Sequence, residues 1–114
     1  AANRVADDLA ETVDPDVIVL LTHSGAATSD CAQLAADADG FGDLATGASP
    51  LIDAIVSAHT HQTYACEVPV DGTDRTRPVI QASEYGKAMG QLSLSYDVET
   101  DELISIEGTT FPLK

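Results

Sequence analysis

The chain has 114 residues, enough for one domain with a modest hydrophobic core. Its 19 acidic and 5 basic residues give a formal net charge of −14, which argues against nucleic acid polymers and anionic membranes as partners. No apolar run reaches the roughly 18 residues that span a bilayer, and no signal peptide opens the sequence. We therefore expect any targeting segment to be absent from this sequence.

The first elements alternate between helix and strand. Apolar residues at helical spacing predict an amphipathic helix over Asn3–Thr12. Val17–Leu21 is apolar without alternation, which is typical of a central strand covered on both faces. Good N-cap residues precede a predicted helix over Cys31–Ala38. Asp39–Pro50 is rich in Gly, Ala and Asp and predicts a loop, and Ala54–Ser57 is a second short buried strand.

After His61 the pattern becomes all-β. Four strands separated by turn residues are predicted, over Thr63–Val70, Pro78–Ala82, Met89–Tyr96 and Leu103–Thr110. The last two alternate between apolar and polar residues, as strands with one wet face do, and predict a terminal hairpin.

The three histidines of the chain all follow buried strands. His23 follows the first strand by two residues, and His59 and His61 follow the second. In open α/β sheets ligands bind outside the carboxyl ends of the strands, and neutral imidazole is a common ligand of transition metals. The pattern favours a metal centre, although hydrogen-bonded polar residues at strand ends would give the same sequence. Ser24 is not predicted to be a nucleophile, because the glycines of a Gly-x-Ser-x-Gly elbow are missing.

Cys31 and Cys66 are an even pair outside any Cys-x-x-Cys motif. From the residues alone they predict either a disulfide between helix and strand or two reduced, buried thiols. A third interpretation is a non-catalytic domain whose structural zinc is bound by both cysteines together with His59 and His61, but the wide spacing disfavours it.

Three blocks resemble one known family. They are Val-Ile-Val-Leu-Leu-Thr-His-Ser-Gly at 17–25, Ile-Asp-Ala-Ile-Val-Ser-Ala-His-Thr-His-Gln at 52–62 and Pro-Val-Ile-Gln-Ala-Ser-Glu-Tyr-Gly-Lys-Ala-Met-Gly at 78–90. In this order they are similar to the second half of the calcineurin-like metallophosphoesterase domain of the bacterial 5′-nucleotidases and 2′,3′-cyclic phosphodiesterases. The resemblance covers nearly the whole chain, and the His-x-His block is its most specific part.

The resemblance implies a metal-dependent phosphoester hydrolase acting on nucleotides. His23 and His59 would bind one of two divalent ions (Mn, Zn, Fe or Co) and His61 the other, and no catalytic side chain besides these ligands is assigned. The implied fold is α/β, the C-terminal half of a four-layer αββα sandwich ending in antiparallel strands. It divides residues 1–114 of this partial domain into an α/β part (1–62) and a mostly β part (63–114).

Two departures from the family pattern shape the expectations. Ala58 stands where the family has glycine, and its Cβ resists a positive φ. The family's earlier ligand blocks, Asp-x-His, Gly-Asp-x-x-Asp and Gly-Asn-His-Asp/Glu, do not occur. We therefore expect a fragment that is inactive alone and that associates with the missing half of its domain or with itself. The alternative is a non-catalytic structural or interaction domain. The resemblance also implies a secreted or periplasmic protein, and it raises the expectation of a Cys31–Cys66 disulfide.

Overall fold

A computed structural model describes residues 1–113, and its fold is mixed α/β, as predicted. Lys114, the last residue of the predicted domain, lies outside the described residues. The elements follow in the order α1 (Ala2–Thr12), β1 (Val19–Leu21), α2 (Cys31–Ala36), α3 (Phe41–Gly47), β2 (Ala54–Val56), β3 (Thr63–Pro69), β4 (Thr76–Ala82), β5 (Ala88–Asp97) and β6 (Glu102–Pro112). None of the helices within residues 1–113 is long and apolar enough to cross a membrane.

Four strands form the main sheet in the order β1-β2-β4-β3. β1, β2 and β4 run parallel, with Leu21 paired to Val56 and Val56 to Ile80. β3 runs antiparallel to β4 from the Thr63–Ala82 pair onward. The sheet therefore combines strands from both sides of residue 62.

The helices cover one face of this sheet. Side chains alternate between faces along a strand, so Tyr64, Cys66 and Val68 of β3 all point into the helix-side core and are almost fully buried. Leu34 of α2 and Phe41 of α3 pack into the same core. Burial of these apolar groups is the main force that attaches the helices to the sheet.

The predicted terminal hairpin, β5–β6, packs on the opposite face. Gly90 and Gly108 allow it to approach β4 closely, because a Cβ at Gly108 would lie 2.6 Å from Cγ2 of Ile80 and one at Gly90 would lie 3.0 Å from its Cδ1. Helices, sheet and hairpin thus form three layers. The four-layer sandwich stays a prediction.

The predicted loop over Asp39–Pro50 is wrong, because α3 occupies most of it. Phe41 and Ala45 are spaced i, i+4 and are buried together, so this segment has an apolar helical face that its glycine content obscured. Gly42 has a packing role, because a Cβ there would lie 2.3 Å from the carbonyl oxygen of Leu34 in α2.

The strand predicted over Val17–Leu21 is present, but its predicted central position is wrong. β1 has only three residues and lies at the edge of the sheet. Its Leu20 packs against the helix-side core, whereas Leu21 is 75% exposed, because the hairpin covers β3 and β4 and does not extend over β1. β1 therefore carries more apolar side-chain surface than the described residues bury.

Arg77 of β4 is only 1% exposed and connects the sheet to α3. Burial lowers the pKa of its guanidinium, but the group donates to five backbone carbonyls at and after the end of α3. The acceptors are the oxygens of Ala45 (3.1 Å), Thr46 (3.3 Å), Ala48 (2.6 Å), Ser49 (2.9 Å) and Ile52 (3.0 Å). The negative end of the helix dipole and the fork of N–H donors together stabilise a charge without a paired carboxylate.

A disulfide joins Cys31 of α2 to Cys66 of β3, 35 residues apart in sequence. Both thiols are consumed, so the structural zinc site that would use them as ligands is ruled out. A helix-to-strand disulfide fits an oxidising compartment.

Removal of this disulfide should lower stability. In the chain-entropy model a loop of this length stabilises the fold by about 3–4 kcal/mol, so the Cys31→Ser/Cys66→Ser variant should lose about that much unfolding free energy in urea. Reduced wild-type protein is the matched control and should behave like the double variant. Equal midpoints for oxidised wild type and the double variant would contradict the prediction.

Candidate metal centre

The histidines meet at the carboxyl end of two parallel strands. His23 follows β1 by two residues, and His59 and His61 lie in the loop after β2. Because β1 and β2 are hydrogen-bonded neighbours in the same direction, the chain leaves both strands at one edge of the sheet. The topology thus places the predicted ligands where α/β sheets bind ligands.

His23 and His59 are in direct contact. Nε2 of His23 and Nδ1 of His59 are 3.3 Å apart, and the two rings are inclined at 66° with their centroids 5.1 Å apart. Two imidazole nitrogens bound tetrahedrally to one zinc ion at its usual bond length are also about 3.3–3.4 Å apart. The same distance accommodates a hydrogen bond in which one ring donates. The separation of the two nitrogens is therefore compatible with two ligands of one ion.

His61 points to different neighbours. Its Nδ1 is paired with a carboxylate oxygen of Glu84, and its ring lies 5.8 Å from that of Tyr85. His59 and His61 both have left-handed backbone conformations, with φ of 78° and 60°, and the chain turns sharply through the pair. The structure thus brings two of the three predicted ligands together and separates the third. No three His, Cys, Asp or Glu side chains among residues 1–113 form a group that suits a metal ion.

Glycine is required at Gly25 rather than at position 58. In the loop after β2 the residues with positive φ are His59 and His61. Ala58 is not among them, so its Cβ does not incur the steric cost of a left-handed backbone. A Cβ at Gly25, by contrast, would lie 2.4 Å from the Ala58 oxygen and 2.4 Å from Nε2 of Gln81. This close approach lets the loop after β1 reach the loop after β2, where the Ala58 N–H donates to the Ser24 oxygen at 3.1 Å.

A buried polar network lies beneath the histidines. The Tyr64 hydroxyl accepts from the Ala26 N–H (3.1 Å) and from Nε2 of Gln81 (3.0 Å), and it lies 2.6 Å from the Ser57 hydroxyl. Because Ser57 donates to the Ile80 oxygen (2.8 Å), Tyr64 must donate to Ser57. Every hydroxyl in this part of the network therefore has a fixed direction.

The network reaches the histidine turn through Thr60. Gln81 donates its second amide hydrogen to Oγ1 of Thr60 (3.0 Å), and Thr60 donates to the Ala26 oxygen (2.6 Å). Thr60 is thereby tied to both strand-end loops, and it lies between His59 and His61 in sequence. The sequence patterns did not indicate these residues, although the glutamine within the apolar strand Pro78–Ala82 was a signal for a buried polar contact.

Glu84 and Lys87 complete the rim of the site. Nζ of Lys87 donates to Oε1 of Glu84 at 2.7 Å, and this hydrogen bond lowers the pKa of the Glu84 carboxyl. The Lys87 N–H also donates to the Glu84 oxygen at 2.9 Å, closing a turn in which Gly86 has φ of 71°. The turn residues expected between the second and third predicted strands of the β part are thus present as Glu84-Tyr85-Gly86, and the backbone N–H of Lys87 closes the turn.

Comparison with known proteins gives one weak similarity. The chain is 31% identical over 104 residues to a protein named Endonuclease YhcR from Bacillus subtilis (strain 168). The match covers 91% of this chain but 8% of that protein, so the chain spans only a small part of its relative's length. No protein-family model matches the sequence.

Substitution of Gly25 should disturb the site. Gly25→Ala forces a methyl group against a backbone oxygen and should destabilise the fold by about 1–3 kcal/mol while shifting the NMR signals of the His23 and His59 rings. Gly47→Ala is the matched control, because its new Cβ comes no closer than 3.8 Å to its neighbours. A Gly25→Ala protein with wild-type stability and unchanged histidine spectra would contradict the proposed close approach.

Proposed function

We propose that this chain is one half of the active domain of a metal-dependent phosphoester hydrolase in which His23, His59 and His61 are metal ligands. The observation that carries the proposal is the 3.3 Å separation of Nε2 of His23 and Nδ1 of His59 at the carboxyl ends of two parallel strands. The similarity to a protein named as an endonuclease supports the same chemistry, since an endonuclease cleaves phosphodiester bonds.

Each part of the site has a defined task in this proposal. His23 and His59 bind one ion and His61 binds its neighbour, while the network through Thr60, Tyr64 and Gln81 holds their loops in place. Divalent ions bound there supply Lewis acidity toward a phosphoryl group and a lowered pKa for water. A shallow depression of about 290 Å³ at the ends of β1 and β2 is lined by His23 but not by the other two histidines.

The proposed substrates are nucleotides and other small phosphoesters. The charge of −14 repels polyanions, whereas one phosphate group directed at two cations meets local positive charge. The name of the relative favours a second candidate, cleavage of a nucleic acid strand by the same centre. Both candidates use the same bond-breaking step and differ in the size of the substrate.

A further segment of polypeptide is proposed to complete the domain. Val19 and Leu21 of β1 point toward the hairpin side of the sheet and are 38% and 75% exposed. Leu94 and Ile104 of the hairpin are 47% and 66% exposed. An unpaired edge strand and exposed apolar side chains each favour contact with an added strand. Such a segment would also supply ligands beyond the two imidazoles that approach one ion here.

The disulfide supports a secreted or periplasmic location for the complete protein.

The test compares the chain alone with the same chain extended upstream as far as its reading frame runs. Each is assayed on AMP, a 2′,3′-cyclic nucleotide and single-stranded DNA, with manganese, zinc or cobalt and with a chelator. We expect the chain alone to be no faster than buffer and the extended protein to turn over in a chelator-sensitive way. His59→Ala or His61→Ala should remove at least 100-fold of that rate.

Ser24→Ala is the matched control, because it alters an exposed side chain between His23 and Gly25 and should leave the rate unchanged. Loss of activity in this variant would indicate a serine nucleophile in place of metal chemistry. Rapid metal-dependent hydrolysis by the chain alone would show that the centre is misplaced. An inactive extended protein would favour the non-catalytic interaction domain.

A further inference from the structure

We infer that Glu84 is a positioning residue for His61: its carboxylate fixes the tautomer and orientation of the imidazole so that Nε2 is the nitrogen presented to a metal ion. The inference rests on the proposed function, since it concerns one of the proposed ligands. It adds a residue that neither the sequence patterns nor the similarity to the endonuclease singled out.

The contact between the two side chains determines the tautomer. Nδ1 of His61 is paired with Oε2 of Glu84, and an ionised carboxylate can only accept hydrogen bonds. Nδ1 must therefore carry a hydrogen, so in the neutral ring the lone pair lies on Nε2. Metal-binding histidines commonly donate their other ring N–H to a carboxylate, which fixes the ring and raises its basicity as a ligand.

The carboxylate itself is held from its other side. Nζ of Lys87 donates to Oε1 of Glu84 at 2.7 Å, leaving Oε2 for His61. The Glu84 side chain is 23% exposed, and that of His61 is 51% exposed, so the pair lies at the rim with the imidazole partly open to solvent. Lys87, Glu84 and His61 thus form a line of contacts, in which Nε2 is the ring nitrogen of His61 that Glu84 does not engage.

The backbone supports this arrangement at three points. The Ser83 N–H donates to the Gln62 oxygen at 2.9 Å, which joins the strand that ends before Glu84 to the residue after His61. Ser83 and Tyr85 both have left-handed backbone conformations, with φ of 60° and 48°. This strained geometry on either side of Glu84 sets the direction in which its side chain leaves the backbone. The position of the carboxylate is therefore built into the turn.

The test is long-range ¹H–¹⁵N NMR of the histidine rings, at a pH where the three imidazoles are neutral. Wild-type His61 should show the Nδ1–H tautomer. Glu84→Ala should shift His61 toward the tautomer mixture of a histidine without a partner, whereas Glu84→Gln, whose amide oxygen can still accept, should retain the wild-type form. Glu99→Ala is the matched control, because it removes one exposed carboxylate in the β5–β6 turn and should change nothing at His61.

Zinc is then added to the upstream-extended protein and to its Glu84→Ala variant, because residues 1–113 alone lack the further ligands of the proposed site. We expect the Nε2 signal of wild-type His61 to shift on zinc addition, and the zinc concentration required to rise about 10- to 100-fold in Glu84→Ala. A wild-type His61 with Nε2–H as its main tautomer would overturn the role of Glu84, whatever zinc does. A correct tautomer with no zinc response at His61 would instead overturn the proposed metal function and leave Glu84 as a structural partner. The two failures are therefore distinguishable.

Discussion

The close approach of two strand-end loops at Gly25 is the constraint on which the rest of the site depends. With no Cβ at this position, the loop after β1 lies directly on the carbonyl of Ala58 and the amide of Gln81. The same approach allows the backbone hydrogen bond from Ala58 to Ser24 and brings His23 within 3.3 Å of His59. A methyl group at Gly25 would separate the loops, and the two imidazoles with them.

The polar network beneath the loops turns this approach into a fixed geometry. Tyr64 and Gln81 connect both loops to the interior of the sheet, and each of their hydrogen bonds has a determined direction. All the buried side-chain nitrogen and oxygen atoms of residues 1–113 have hydrogen-bond partners. Since an unsatisfied buried group costs about 1–3 kcal/mol, displacement of one loop would be opposed by several such losses at once. A site that held metal ions at set positions, as proposed, would benefit from this rigidity.

Local patterns were sufficient for much of the fold. The amphipathic spacing of α1 and the alternation of the hairpin strands each reflect one element's own burial, so both were predicted within a residue or two. The strand-end positions of the histidines were likewise visible, because they depend only on where apolar runs end. Helix α3 was missed because its apolar face is formed partly by alanine and its glycine permits tertiary packing on α2.

Other features depend on contacts between segments distant in sequence. The edge position of β1 is decided by which strands lie beside it, which an apolar pentapeptide does not specify. The same holds for the Gln81–Thr60 bond and the Glu84–His61 pair, each joining residues about twenty apart through the pairing of β2 with β4. Sequence therefore identified the candidate ligands, while the structure identified the residues that hold them.

The central claim is that His23 and His59 share one ion. Anomalous diffraction at the zinc absorption edge, from crystals of the protein saturated with zinc, tests it most directly. The account predicts a peak within bonding distance of both Nε2 of His23 and Nδ1 of His59. Zinc-saturated crystals in which those two nitrogens remain hydrogen-bonded to each other, with any peak located elsewhere, would contradict it.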